Sequence, residues 1–160
     1  MLSIRPATVE DTALLRTFIR ELADYEHGLE FVLVTENDLA RDGFGPQSRF
    51  RAVIAEWDGQ PAGYALFFEV YSTWQGRPAM FLEDLFVRER FRGKKIGKAL
   101  LAHVAAVARK ENCYGIRWEV LDWNQLAIDF YSGIGAEFRN EWRSMSLTRK
   151  PLERLSKEAA

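Results

Sequence analysis

The chain has 160 residues, 48% of them hydrophobic and 28% charged, and its 22 basic and 23 acidic side chains leave a net charge of −1. This length and composition predict a globular protein with a core of its own and argue against a disordered chain. The charge balance disfavours a general nucleic-acid-binding protein, and no apolar stretch is long enough to cross a bilayer.

Cysteine usage and the first residues bear on the compartment. The single cysteine, Cys113, has no partner within the chain for a disulfide, and residues 1–20 lack the apolar core of a signal peptide. Both features favour a reducing, cytoplasmic setting. Without a repeat or a linker, we expect a single domain over residues 1–160, with its core at about 3–148 and a polar tail at 149–160.

Hydrophobic spacing predicts two helices near the start of the chain, ending at Gly28 and Gly43. At Thr8 and again at Thr35, a threonine is followed three residues later by an aspartate, which is a pattern that caps helix N-termini. The segment 25–44 mixes acids, aromatic residues and glycines. It is either a flexible lid or a plain helix–loop–helix cover.

Strand patterns occupy the middle of the chain. Asp58 and Gly59 form a strong hairpin signal, because both central residues of this turn type need a positive φ. A second reversal at 72–78 exposes Trp74. The predicted strands are 3–6, 50–57, 61–71 and the central strand 79–87.

The second half alternates helices and strands. We predict a helix at 98–112, a strand at 115–121 parallel to the central strand, a helix at 124–132, and one or two final strands over 136–147. Antiparallel strands that lead into a helical crossover predict an α/β fold with a mixed, mostly antiparallel sheet flanked by helices.

The sequence AMFLEDLFVRERFRGKKIGKALLA, residues 79–102, organises the chain. It contains a strand with two carboxylates, then a basic loop (residues 92–98), then the start of a helix. The amide groups and dipole of a helix N-terminus favour a bound anion. Because the loop has neither P-loop nor dinucleotide-binding glycine spacing, the sequence indicates another phosphate-bearing ligand or an ordinary basic helix start.

The two carboxylates of this strand have different predicted faces. Alternation places Glu83 opposite Asp84, so at most one of them points at a given substrate. Burial in an apolar strand would raise the pKa of Glu83 and make it a better proton acceptor. The alternative for Glu83 is a buried acid that is hydrogen-bonded to a neighbouring strand.

Two segments resemble the GNAT acetyltransferase superfamily. LEDLFVRERFRGKKIGKALL is similar to its acyl-CoA-binding motif, whose loop reads Arg/Gln-x-x-Gly-x-Gly/Ala, and Arg92 and Gly97 match the ends of that loop. Lys95 replaces the middle glycine. VLDWNQLAIDFYSGIGAEF is similar to the second signature, in which Asn124 and Tyr131 lie two helical turns apart.

The resemblance narrows to the diamine acetyltransferase branch, which includes spermidine/spermine and thialysine enzymes. RPATVEDTALLRTFIRELADYE, DGFG, VYSTWQGR and LEDLFV carry it, and it covers residues 4 to about 147. YSTW-x-GR and VLDWNQ are closer to the thialysine-type members. Ser72 stands where polyamine enzymes carry an acid, which argues against long polyamines as substrates.

The resemblance implies that acetyl from acetyl-CoA is transferred to a primary amine by direct attack. Glu83 is then the base, through a water molecule, and Tyr131 is the acid for the leaving thiolate. The residues implied to bind acetyl-CoA are Phe86, Val87, Arg92, Gly93, Lys94, Lys95, Ile96, Gly97, Lys98, Asn124 and Tyr131. The alternatives are a helix cap for Asn124, which does not exclude a role in binding, and an ordinary core aromatic for Tyr131.

An acid-lined cleft for the distal ammonium is the remaining expectation. Glu26, Glu30, Trp74 and Asp84 are its candidate lining residues, with each more common as surface or packing when taken alone. The histidines and the cysteine have no metal-site spacing, so no metal is expected. A homodimer follows from the resemblance. The rival functions are a protein lysine or N-terminal acetyltransferase and a non-catalytic acyl-CoA sensor.

Overall fold

A five-stranded sheet forms the centre of the fold. The computed structural model describes residues 1–159, and its strands are neighbours in chain order. Every pair of neighbouring strands is antiparallel except the last, which is parallel, so the predicted mixed, mostly antiparallel sheet is confirmed. The strands are β1 (Leu2–Pro6), β2 (Arg51–Trp57), β3 (Gln60–Ser72), β4 (Arg77–Val87) and β5 (Ile116–Arg117).

Five α-helices accompany the sheet: α1 (Thr12–Tyr25), α2 (Glu36–Phe44), α3 (Ile96–Lys110), α4 (Gln125–Gly133) and α5 (Arg149–Ser156). Both predicted capping boxes form, at Thr8 before the short 3₁₀ turn that leads into α1 and at Thr35 before α2. Helix α1 ends three residues before the predicted Gly28, since His27 already has a φ of 60° and cannot continue the helix.

The β2–β3 hairpin confirms the turn prediction. Asp58 has a φ of 50° and Gly59 a φ of 75°, so both central residues occupy the left-handed region. This turn sets the register in which Trp57 pairs with Gln60. The segment 25–44 adopts the helix–loop–helix alternative, with a 3₁₀ turn at Leu29–Phe31 before α2.

Both faces of the sheet are buried. Helices α1 and α2 cover the face that carries Ile54, Tyr64 and Leu66, and the ring of Phe18 on α1 stacks on Tyr64 at 5.3 Å with an interplanar angle of 6°. Helix α3 contacts β2, β3 and β4, and its buried residues include Leu100. Alternate residues of β3 therefore point into two separate apolar layers.

The residue contacts divide the chain into two compact units. The first unit, Met1–Leu121, contains the whole sheet with α1, α2 and α3, and the second begins at Asp122 and contains α4 and α5. No helix in the described part of the chain combines the length and the apolar character that a membrane span needs.

Two strand predictions for the second half are corrected. The one or two strands expected over 136–147 are absent from the described chain, and the strand expected at 115–121 is limited to Ile116–Arg117. Helix α5 lies within the stretch 149–160, for which the sequence predicted only a polar tail. Nearly all residues of 136–147 are exposed, and no strand partner is recorded for them, so neither pairing nor burial holds that segment in a ladder.

Candidate active site

A β-bulge in β4 fixes the directions of the two adjacent carboxylates. Leu66 on β3 pairs with Asp84, but the next residue, Phe67, pairs with Leu82, so Glu83 is the extra residue on β4. A bulge re-aims side chains and is frequent beside active sites. Here Leu82 is buried, Glu83 is exposed, and Asp84 is partly buried.

Asp84 reaches inward to the tyrosine of the neighbouring strand. The Tyr64 hydroxyl donates a hydrogen bond of 2.8 Å to Asp84 Oδ2. Desolvation raises the pKa of Asp84 to about 6, and the negative charges of Glu83 and Glu26 raise it as well, whereas the Tyr64 hydrogen bond lowers it. The same surroundings raise the pKa of the Tyr64 hydroxyl, so it stays protonated as a donor.

The expected burial of Glu83 is wrong. Its side chain is exposed, so the desolvation argument that the sequence suggested for Glu83 applies to its neighbour Asp84 instead. Strand alternation could not reveal this difference, because the bulge interrupts the alternation at this residue. An exposed Glu83 carboxylate is accessible to a bridging water molecule.

Glu26 completes an acid cluster, which we define as Glu26, Glu83 and Asp84. Glu26 caps the C-terminus of α1, and although the residue is exposed, desolvation raises the pKa of its carboxyl group. Its charge acts on both Tyr64 and Asp84. Among residues 1–159, no set of His, Cys, Asp and Glu side chains is arranged to hold a metal ion.

The two other predicted amine-binding residues lie apart from this cluster. Glu30 is exposed in the Leu29–Phe31 turn. Trp74 is 85% exposed at the tip of the β3–β4 hairpin, and the strand rises about 23 Å between Arg77 and Asp84. Within one chain, the structure therefore does not bring Trp74 into a cleft with Asp84.

Beyond Phe81, β4 has an open edge. Its ladder with β5 consists of Met80 opposite Ile116 and Phe81 opposite Arg117, so the following residues have no strand neighbour on that side among those described. Phe86 and Val87, two of the residues predicted to bind acetyl-CoA, belong to this open stretch. Adjacent amides of a strand point to opposite edges, and the Arg88 amide donates to Ala62 O on β3. Of the two residues, Val87 therefore points its amide to the open edge, where it can donate to a ligand.

The backbones of β3 and β4 lie very close together at the end of this open stretch. Gly63 on β3 pairs with Val87, and a Cβ atom at Gly63 would collide with the carbonyl oxygen of Phe86. The position therefore requires glycine. The side chain of the next residue, Arg88, connects the end of β4 to α1 and to the start of β3. Its Nε and Nη2 each donate a 2.8 Å hydrogen bond to Glu21, and its Nη1 donates to Pro61 O at 3.0 Å.

The basic loop presents cations without carboxylate partners. Arg92 lies 4.8 Å above the ring of Tyr25, and Lys94 lies 4.5 Å from the ring of Trp57. No carboxylate of the described chain lies within ion-pair distance of Arg92 or of the three loop lysines. The loop is thus a locally uncompensated positive surface.

Backbone amides of α3 open onto the same loop. The N-cap residue, Lys95, has a φ of 62° and no side-chain cap, and the first intrahelical bond of the helix runs from the Ala99 amide to Lys95 O. The amides of Ile96, Gly97 and Lys98 therefore have no acceptor within the helix. Cations and unpaired amides together fit the phosphate groups of a CoA ester.

Asn124 and Tyr131 lie in the second unit. Asn124 is 8% exposed and is the N-cap of α4, where its Oδ1 accepts a 3.2 Å hydrogen bond from the Ala127 amide. The predicted cap is confirmed. Tyr131 lies two turns later on the same helix, with its ring 5.2 Å from that of Phe130.

Sequence reasoning missed two residues of this region, Tyr64 and Gly63. Neither stands out locally, because a tyrosine and a glycine in an apolar run are compatible with ordinary packing. Their importance depends on the β3–β4 register, which brings Tyr64 to Asp84 and Gly63 to Val87. The register would have been the useful signal, but the bulge shifts it by one residue.

Known proteins share both the sequence pattern and the fold. A sequence model of the acetyltransferase (GNAT) family matches residues 13–136. The thialysine N-epsilon-acetyltransferase of Sus scrofa is 37% identical over 164 residues, covering 96% of each chain, and that of Bos taurus is 39% identical over 142 residues, covering 84% of this chain and 83% of its own. An integron cassette protein from the mobile metagenome of V. cholerae has a TM-score of 0.82 at 27% identity, and the match covers 98% of both chains.

These matches extend over most of the chain and agree with the site as described. The family match includes the acid cluster, the open edge of β4 and the basic loop, together with Asn124 and Tyr131. The resemblance that the sequence carried is confirmed. The chain belongs to the acetyltransferase (GNAT) family and is an acetyl-transferring enzyme.

Proposed function

We propose that this enzyme transfers acetyl from acetyl-CoA to a primary amine of a small diamine or of a thialysine- or lysine-like substrate. The observation that carries the proposal is the acid cluster beside the open edge of β4, in a strand that leads directly into the basic loop. Carboxylates suit an ammonium group, and the loop suits phosphates. The names of the thialysine-acetylating relatives support the choice of amine.

The base role of Glu83 follows from the chemistry of the acceptor. An amine is protonated near pH 7 and must lose a proton before its nitrogen can attack a thioester carbonyl. Glu83 is exposed at the bulge, so we assign it proton removal through a water molecule. Asp84 and Glu26 hold the ammonium group of the substrate through charge and hydrogen bonding.

Two further steps are stabilisation of the carbonyl oxygen and protonation of the leaving sulfur. Acetyl-CoA supplies the acetyl thioester when bound. On the open edge beside Phe86, the Val87 amide can donate to the carbonyl oxygen as negative charge develops on it. The resemblance implies that Tyr131 gives a proton to the departing sulfur and that Asn124 binds acetyl-CoA.

The basic loop has the donors that a CoA phosphate requires. Arg92, Lys94, Lys95 and Lys98 lack carboxylate partners in the described chain, and the first amides of α3 have no helical acceptor. We therefore assign residues 92–98, including Gly93, Ile96 and Gly97, to phosphate binding. Lys95 contributes a side chain where the family motif has a bare backbone.

Release of CoA thiol from acetyl-CoA across an amine panel tests the proposal. The panel contains putrescine, spermidine, spermine, thialysine, lysine and a lysine-bearing peptide. We expect turnover on thialysine or a short diamine, and its loss in Glu83→Gln and Tyr131→Phe. Cys113→Ser serves as the control for thiol background, because Cys113 is the one free thiol in the chain.

Other outcomes would redirect the proposal. Turnover only on the peptide would move the enzyme to protein lysine or N-terminal acetylation. Tight CoA binding without turnover on any amine would favour an acyl-CoA sensor and remove the assigned role of Glu83.

We further propose a cytoplasmic homodimer. The family resemblance supports the dimer, and the single cysteine supports a reducing compartment. Light scattering coupled to size-exclusion chromatography tests the dimer, and a monomer at micromolar concentration would contradict it.

A further inference from the structure

One carboxylate oxygen of Asp84 accepts a hydrogen bond from the protein, and the other is available to a ligand. Oδ2 accepts the hydrogen bond from the Tyr64 hydroxyl at 2.8 Å, and no donor to Oδ1 is recorded among the described residues. No buried side-chain oxygen of the described chain lacks a partner, so Oδ1 must be accessible to solvent. The carboxylate is thereby fixed in orientation, with a free acceptor on one side.

The donor of this bond is held rigidly. Tyr64 is 0% exposed, its ring stacks on Phe18 at 5.3 Å, and it belongs to the cluster packed under α1 and α2. A fully buried tyrosine whose ring stacks on a neighbouring ring has little freedom to move its hydroxyl. The hydroxyl is therefore a fixed point against which Asp84 is aligned.

We propose that Tyr64 is a positioning residue for the acceptor amine: its hydroxyl holds Asp84 Oδ2 so that Oδ1 receives the ammonium group of the substrate. This inference rests on the proposed function and adds a residue to which neither the sequence motifs nor the base and acid roles point. Tyr64 touches no substrate in this scheme and acts only through Asp84.

Alternative roles fit Tyr64 less well. A purely structural tyrosine would have no reason to donate to a carboxylate that carries a desolvation cost, since phenylalanine would fill the same volume. A catalytic acid would need access to the ligand, and Tyr64 is fully buried. The groups that face Asp84 are Tyr64 on β3, which donates a hydrogen bond, and Glu83 on β4 and Glu26 at the end of α1, which act through their negative charges.

Tyr64→Phe is the first test, because it removes the hydroxyl and leaves the ring. We expect KM for thialysine to rise about tenfold, the factor expected for one hydrogen bond to a charged group, with little change in KM for acetyl-CoA. Tyr71→Phe is the matched control, since it removes a hydroxyl from the 68%-exposed tyrosine of the same strand. Equal KM values in the two variants would overturn the proposal.

A double-mutant cycle separates positioning from general destabilisation. If Tyr64 acts only through Asp84, Tyr64→Phe should change KM for thialysine in the wild-type background and leave it unchanged when Asp84→Asn is already present. Additive effects in the cycle would contradict a role through Asp84. Thermal melting of each variant checks that the fold persists.

A carboxyl NMR titration gives a readout without turnover. In protein with ¹³C-labelled aspartate, Asp84 should titrate near pH 6 in the wild type and at higher pH in Tyr64→Phe, because a hydrogen bond that lowers its pKa is lost. Added thialysine should shift the Asp84 signal in wild type more than in Tyr64→Phe.

The titration distinguishes failure of this inference from failure of the proposed function. An enzyme that acetylates no amine, but whose Asp84 still responds to Tyr64→Phe and to thialysine, would lose the proposed reaction and keep the positioning role. An Asp84 pKa that is identical in wild type and Tyr64→Phe would overturn the positioning role, whatever the activity.

Discussion

The charged groups of the acid cluster and those of the basic loop lie in different environments. In the acid cluster, Asp84 is desolvated, hydrogen-bonded by the buried Tyr64, and titrates near pH 6. In the basic loop, the cations are exposed and rest against aromatic rings, as Lys94 does against Trp57. One region relies on burial and fixed geometry, and the other relies on exposed charge and unpaired amides.

This contrast teaches which variables should control each half of the reaction. A partly buried carboxylate is sensitive to pH, because burial moves its pKa toward neutrality, and it is screened little by salt. An exposed cationic loop is screened by added ions. The amine side should therefore respond to pH and the CoA side to ionic strength.

The largest effect should come from the exposed acid. Glu83→Gln should lower kcat for the accepted amine about 10²- to 10³-fold, because a water-mediated proton acceptor is lost. The loss should shrink as the pH approaches the pKa of the amine, where the substrate deprotonates by itself. Steady-state kinetics from pH 7 to pH 10 measure this, and Glu36→Gln, an exposed acid on α2, is the control.

Asp84→Asn should stabilise the fold at pH 7 by about 2 kcal/mol, although it harms amine binding. The folded-state pKa of about 6 lies above the ordinary value of 3.8, so the folded chain holds this proton more tightly. The wild type thus loses stability as pH rises from about 4 to about 6. Denaturant unfolding at pH 4 and pH 7 should show the variant's advantage only at the higher pH.

Asp42→Asn is the control, and we expect it to change the free energy of unfolding at pH 7 in the opposite direction. The pKa of Asp42 is lowered by its hydrogen bonds from Arg41, so its carboxylate contributes stability that is lost on acidification. A variant Asp84→Asn that is less stable than wild type at pH 7 would contradict the desolvation of Asp84.

Lys95→Gly should raise the free energy of unfolding by up to about 1 kcal/mol, because a non-glycine residue at a φ of 62° is strained. Lys98→Gly removes the same charge within α3 and should instead destabilise by about 1 kcal/mol. Urea unfolding compares the two variants. Equal changes would mean that charge, and not backbone strain, dominates at the loop.

The smallest effect concerns salt. Raising NaCl from 50 mM to 500 mM should increase KM for acetyl-CoA about threefold and change KM for the amine less, because the loop cations are exposed. Initial rates at both salt concentrations measure the two constants. If salt raised KM for the amine more than KM for acetyl-CoA, the acid cluster and not the basic loop would be the region more sensitive to screening.

Local signals in the sequence predicted most of the fold. The hairpin at Asp58 and Gly59 and the capping boxes at Thr8 and Thr35 depend on neighbouring residues, and all three formed. The basic loop was likewise visible, since a strand, a glycine-containing cationic segment and a helix are contiguous. The open edge of β4 depends on where β5 ends, which no local pattern records.

For the same reason, the sequence could not predict that Glu83 is exposed and that Asp84 is the desolvated carboxylate. Alternation predicts opposite directions for adjacent residues, but the bulge interrupts the alternation at Glu83 and decides which carboxylate is exposed. Tyr64 becomes important only through the pairing of β3 with β4. The strands expected over 136–147 failed because an apolar pattern cannot form a ladder without a partner.

The order of the strands, in which every neighbour in space is also a neighbour in the chain, has a consequence for how the protein acquires its structure. The β2–β3 and β3–β4 hairpins close with short loops, whereas β1 and β5 are joined to their neighbours by long connections that contain helices. The two hairpins can therefore form before distant segments are needed. We expect the β2–β3–β4 ribbon to form early, directed by its tight turn at Asp58 and Gly59. The pairing of Tyr64 with Asp84 would then precede the arrival of β5, so the amine-binding carboxylate is oriented before the sheet is complete.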